Sequence, residues 1–94
     1  MFNIIKGENN TIILSGIFDS SCSENAKEIL SSVTSSCIMD CRDLEYISSA
    51  GLGVLISVYK RVIENGGKIQ LVNIKDPVLR VFRLVKFDTL FDIN

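Results

Sequence analysis

The segment CIMDCRDLEYISSAGLGVLISVYKRVIENGG, residues 37–67, carries a short apolar strand pattern into a turn of small residues and then into a long helical pattern. Cys37–Cys41 is apolar apart from Asp40 and reads as a short central strand. Leu52, Leu55, Ile56, Tyr59, Val62 and Ile63 recur at helical spacing and predict the inner stripe of a helix. Asn65-Gly66-Gly67 ends that helix, since glycine and asparagine accept the left-handed conformation that closes a helix C-terminus.

The same alternation continues on both sides. Downstream, Ile69–Val72 reads as a buried strand. Asp76-Pro77 opens a third helix, with aspartate as the expected N-cap and proline at the first helical position. Val78, Val81, Phe82 and Val85 give that helix an inner face, and Thr89–Ile93 predicts a last strand. Upstream, Phe2–Lys6 and Thr11–Ile17 flank Gly7-Glu8-Asn9-Asn10, the composition of a hairpin turn. Thr11-Ile12-Ile13-Leu14 has the β-branched, apolar character of a strand buried on both faces. Asp19-Ser20-Ser21-Cys22-Ser23 breaks this strand and offers several N-caps. Ser23–Ser35 then reads as a helix with Ala26, Ile29, Leu30 and Val33 inward. The order β-β-α-β-α-β-α-β implies an α/β fold with a mostly parallel sheet, made mixed by the opening hairpin.

Composition narrows the function. The 94 residues suit a single domain spanning 1–94, with 47% hydrophobic and 22% charged residues and a net charge of −1. The basic residues Lys60, Arg61, Lys75, Arg80, Arg83 and Lys86 are interleaved with apolar positions, so no nucleic-acid-binding face is expected. Three cysteines and no histidine provide neither a disulfide framework nor a zinc site; Cys37 and Cys41 are expected as small core residues. No signal segment or membrane span is read, so a soluble, cytoplasmic protein is expected.

Without histidine there is no Ser-His or Cys-His pair. Gly51-Leu52-Gly53 lacks the further elements of a phosphate-binding glycine loop, and Ser49 is not in a nucleophile elbow. An enzyme is therefore not expected, nor a cofactor or metal. What remains is Tyr46-Ile47-Ser48-Ser49-Ala50-Gly51-Leu52-Gly53 at a strand-to-helix turn. Ser48 or Ser49 there caps the helix, a contribution of ~1 kcal/mol. The same helix N-terminus also tolerates an anion, so a phosphoryl group on an exposed serine would leave the fold intact while adding charge at the surface.

With these residues in place, the sequence resembles the STAS family, specifically bacterial anti-sigma factor antagonists, over nearly its whole length. Gly16-Ile17-Phe18-Asp19 is similar to the family's turn after the second strand, and residues 39–53 to its central serine motif. Asn65-Gly66-Gly67-Lys68-Ile69 and Val78-Leu79-Arg80-Val81-Phe82 are similar to its later segments. The resemblance implies a partner that is both anti-sigma factor and serine kinase, with ATP bound by the partner, and a serine phosphatase that reverses the modification. It implies phosphorylation at Ser49 and kinase engagement through Asp19. Ser48 stands where many antagonists have aspartate, and Ala50 where a second hydroxyl is common, which leaves Ser49 as the acceptor. The expected partner-binding set is Asp19, Ser48, Ser49, Ala50, Gly51, Leu52, Val54 and Val58; the two valines lie off the inner stripe and read either as peripheral core or as an exposed apolar patch beside Ser49. The family's usual C-terminal helix is expected to be absent before Asn94, either cropped or replaced by a partner. The alternative is a phosphorylation-independent STAS subunit that only scaffolds a transport or signalling complex, with Ser49 a plain cap.

Overall fold

The computed structural model describes residues 1–93. Its elements are β1 (Asn3–Lys6), β2 (Thr11–Phe18), α1 (Ser23–Ile29), β3 (Cys37–Ile47), α2 (Ser49–Glu64), β4 (Ile69–Val72), α3 (Asp76–Leu84) and β5 (Asp92–Ile93), with 3-10 turns at Leu30–Ser32 and Phe87–Thr89. The strands form one sheet in the order β1-β2-β3-β4-β5. β1 and β2 are antiparallel, and every later pair is parallel. The α/β fold with a mixed, mostly parallel sheet is therefore as expected. The hairpin turn forms because Asn9 and Asn10 both take positive φ, 57° and 59°, which asparagine tolerates better than most residues.

Strand order and chain order coincide. Parallel crossovers are right-handed almost without exception. A sheet that grows in one direction through such crossovers places all its helices on one face. The burial pattern agrees. Ile12, Leu14, Met39 and Leu71 are buried against Leu30, Leu55, Val58, Val62 and Phe82 in one core. Ile13, Ile38 and Val72 point the other way, are only partly buried and lie outside that core. The expectation that β2 is buried on both faces is thus corrected: the second face of the sheet is open.

β3 is longer than its apolar start suggested. Cys37, Met39 and Cys41 alternate inward, but Leu44 and Ile47 follow at intervals of three, and all five are buried. Register shifts between Ile13 and Ser15 and between Gly16 and Ile17 absorb the extra residues. Each bulge resets the phase so that the next apolar side chain still faces the core. Gly16 sits at the second shift with φ of 89°. A Cβ there would lie 1.9 Å from the Met1 carbonyl oxygen.

Three other boundaries differ from expectation. α1 stops at Ile29 and gives way to a 3-10 turn rather than running to Ser35. The Arg61 guanidinium takes up the freed carbonyls, donating to Leu30 at 2.6 Å and to Val33 at 2.9 Å. Lys75, not Asp76, occupies the N-cap of α3, and Val85 follows its last turn at 43% exposure, outside the inner face. The last strand is only Asp92–Ile93, because Phe87–Thr89 turns to bury Phe87 and Phe91 beside Phe82 and Tyr59.

The cysteines are free, and Cys37 and Cys41 are buried as expected. Burial, reinforced by the neighbouring Asp40 charge, pushes the Cys41 thiol up to about 12, so it stays protonated and inert.

The rotation of α2 is set by its tightest contact. Gly51 is buried against β2 and β3, and a Cβ on it would meet Ile47 at 2.8 Å and Phe18 at 3.0 Å. Gly53, two residues on, faces open space. Gly51→Ala is expected to destabilise the fold by about 1–3 kcal/mol through overpacking. Gly53→Ala is expected to stabilise it by about 0.5–1 kcal/mol through helix propensity. Urea-unfolding midpoints of the two variants check this opposite pair of signs.

Candidate functional site

The C-terminal ends of β2 and β3 lie side by side, with Phe18 opposite Ile47. Immediately beyond them the chain turns into α2. The Ser48 N–H donates to the Phe18 carbonyl at 2.9 Å, tying the end of one strand to the exit of the next. Ser48 is extended, with φ −93° and ψ 174°, and its hydroxyl oxygen accepts the Gly51 N–H at 3.3 Å. Its carbonyl accepts the Leu52 N–H at 2.9 Å, the first bond of the helix. Ser48 is therefore the N-cap.

That assignment frees Ser49. It is the first helical residue, and it is exposed. Ala50 and Leu52 are partly buried, and Gly51 is buried beneath them. A helix of this length presents unpaired N–H groups and the positive end of its dipole at Ser49. An anion placed on that hydroxyl is stabilised by the helix rather than repelled.

Asp19 follows Phe18 directly and so lies at the same end of the sheet. One carboxylate oxygen accepts the Ser21 hydroxyl at 2.5 Å and the Ser21 N–H at 3.0 Å. These bonds, the hydroxyl's first, hold the exposed carboxyl below its ordinary value of 3.8. Asp19 thus shapes the turn between β2 and α1 while keeping a negative charge at the surface.

Six of the eight expected residues, Asp19, Ser48, Ser49, Ala50, Gly51 and Leu52, are brought to this junction. Val54 and Val58 take the core reading, and the exposed-patch reading is corrected. They are 6% and 2% exposed and belong to the core. The buried line of α2 runs through Gly51, Val54, Leu55, Val58 and Val62. Leu52, Ile56 and Tyr59 are only partly buried, and Ile63 is exposed at the helix's far end. No exposed valine patch adjoins Ser49. A shallow groove of about 280 Å³ lies there instead, between Ser23, Glu24 and Lys27 of α1 and Ala50, Gly53, Val54 and Ser57 of α2.

Two further residues at this end escaped the sequence reading. Ile17 and Tyr46 are direct cross-strand partners. They precede the buried pair Phe18 and Ile47, and they are 48% and 51% exposed. The signal was the position of each beside a core residue after a bulge, which a strict alternation does not reveal.

The STAS domain family model matches residues 5–94, and the chain belongs to that family. It is 32% identical over 53 residues to the anti-sigma-B factor antagonist of Bacillus subtilis; the match spans 56% of this chain and about half, 49%, of that protein. Solved structures share the fold. The phosphorylated form of the Bacillus cell fate determinant SpoIIAA superposes with a TM-score of 0.73 at 16% identity, covering 100% of this chain and 91% of that one. An anti-sigma factor antagonist from Mycobacterium paratuberculosis gives 0.78 at 18% identity, covering 99% and 83%. Among the described residues, no helix is long and apolar enough to cross a membrane, and no cluster of metal-ligating side chains occurs.

Because the cap bond belongs to Ser48, Ser48→Ala is expected to cost about 0.5–2 kcal/mol. Ser49→Ala should stay within about 0.5 kcal/mol of wild type. Thermal unfolding of both variants separates cap from free hydroxyl. Asp19 provides a second test. Its carboxyl is lowered in the fold, so its stabilisation is present above 3.8 and lost as pH falls through the lower folded value. Asp19→Asn should be less stable than wild type near neutral pH, and the difference should close in acid. Denaturant titrations across that range measure it.

Proposed function

We propose that this chain is an anti-sigma factor antagonist, a single cytoplasmic STAS domain that binds an anti-sigma factor with serine kinase activity. In this reading the partner binds the ATP and transfers its phosphoryl group to Ser49. The modification disables binding, and a serine phosphatase restores it. The chain itself is not an enzyme and needs no cofactor.

The observation that carries this reading is the division of labour between the two serines. Ser48 supplies the helix cap, and Ser49 presents an exposed hydroxyl on the next residue. A phosphoryl group on Ser49 adds about −1.5 to −2 charges at neutral pH. The α2 dipole accommodates that charge, so the fold need not change. A partner seated over Ser49 is affected differently. Its bound nucleotide is itself anionic, and like charges brought together across an interface cost several kcal/mol. Membership of the STAS family and the similarity to the anti-sigma-B factor antagonist support the choice of partner class.

Incubation with ATP and a purified anti-sigma factor serine kinase that binds the protein, followed by intact-mass analysis and peptide mapping, should give one phosphate on Ser49. Ser49→Ala should take none and bind the kinase as wild type does. Ser49→Asp should bind at least about tenfold more weakly, about 1.4 kcal/mol. Equal affinity of the two variants would sink the switch.

A further inference from the structure

We propose that Ile17 and Tyr46 form the apolar anchor on which the ATP-binding kinase partner seats itself when it engages Ser49. The inference rests on the function proposed above and adds to it the surface by which the partner is held.

Geometry places this pair within reach of a partner at Ser49. Tyr46 is three residues before Ser49, so the two lie within roughly 11 Å even along a fully extended chain. Ile17 is the cross-strand partner of Tyr46, one strand spacing away, about 4.8 Å. A standard interface covers about 800 Å² on each protein, a disc of roughly 16 Å radius. Ile17 and Tyr46 thus lie within the span of an interface centred on the Ser49 hydroxyl.

The chemistry suits an anchor. The two side chains face away from the core, at 48% and 51% exposure. They stand on strands held rigidly by the Ser48-to-Phe18 bond and by the buried neighbours Phe18 and Ile47. Tyrosine offers a large apolar area at little entropic cost and is enriched in the residues that dominate binding energy. Carboxylates lie at the margin. Asp19 is two residues beyond Ile17, Glu45 adjoins Tyr46 and pairs with Lys75, and Asp43 is exposed on the same strand. With Arg42 and Lys75 beside these carboxylates the margin carries both signs, and the complement is a partner surface with an apolar centre and a polar rim. Ile63, another exposed large apolar residue, lies at the opposite end of α2, roughly 21 Å from Ser49 at the helical rise, too far to share a contact centred on that serine.

The test is calorimetric titration of the unphosphorylated protein with the same purified anti-sigma factor serine kinase, loaded with a non-hydrolysable ATP analogue. Ile17→Ala combined with Tyr46→Ala should raise Kd by roughly tenfold or more. Ile63→Ala and Tyr46→Phe should bind as wild type. With ATP and saturating kinase, the double variant should still be phosphorylated on Ser49, because the acceptor is untouched. Should the double variant not fold, nitration of wild-type Tyr46 takes its place. Tyr46 should react in the free protein and be shielded in the complex, with Tyr59, packed on Phe91 at 5.0 Å, as the internal reference. Wild-type affinity in the double variant, or undiminished nitration of Tyr46 in the complex, would overturn the anchor and leave the function standing. Failure of wild type to bind or be phosphorylated would overturn both. Self-association of wild type that the double variant abolishes, with kinase affinity unchanged, would assign the pair to a second copy and overturn the anchor.

Discussion

The hydrogen bond from the Ser48 N–H to the Phe18 carbonyl is where the fold and the site become one object. It closes the junction at which β2 ends, β3 ends and α2 begins. Without it the exit of β3 would be free to swing, and the first turn of α2 would have no fixed direction. Gly51 depends on the same junction, since its missing side chain lets the helix settle directly on Phe18 and Ile47. The position of the Ser49 hydroxyl is thus set by backbone bonding and core packing, not by the flexible groups of a surface loop.

The one-directional growth of the sheet has a complementary effect. It gathers the helices on one face and concentrates the core there, leaving the other face without a cover. Parallel sheets are ordinarily covered on both sides. Here Ile13, Ile38 and Val72 remain partly buried without joining the core. The asymmetry costs some burial but leaves strand residues available near the head of α2. Ile17 and Tyr46 are available for the same reason.

Much of this was legible in the sequence, and the misses share a cause. The element order, the hairpin, the buried cysteines and the serine junction follow from local chemistry: turn residues, periodicity and caps. The second half of β3 did not, because two bulges convert a period of two into a period of three. A strand with intervals of three looks like neither strand nor helix. The inner face of α2 was legible in part: of the stripe read from helical spacing, Leu55 and Val62 are fully buried and Leu52, Ile56 and Tyr59 pack at the margin of the core, while Ile63 is exposed. The helix carries large apolar residues on more than one side, so spacing alone does not fix its rotation. Close packing instead selects the line that begins at the smallest residue, Gly51, since backbone approach is what brings a helix nearest to a sheet. Val54 and Val58 lie on that line and so go to the core. Which of two adjacent serines caps a helix is likewise decided by the turn angle, and only Ser48 has the extended backbone that a cap requires.

Placing a modifiable serine one residue after the cap has a physical logic of its own. A phosphoryl group on the cap hydroxyl would have to displace or distort the bond to Gly51, and the helix head would loosen. On the next residue the cap bond survives, and the new charge meets the exposed N–H groups and the helix dipole. The surface changes while the scaffold does not. A switch built this way acts through what a partner encounters, and its energy need not exceed the margin that holds the domain folded, about 5–15 kcal/mol for proteins in general. The rigidity of the Ser48–Phe18–Gly51 junction is therefore what allows a surface charge to act on binding without acting on the fold.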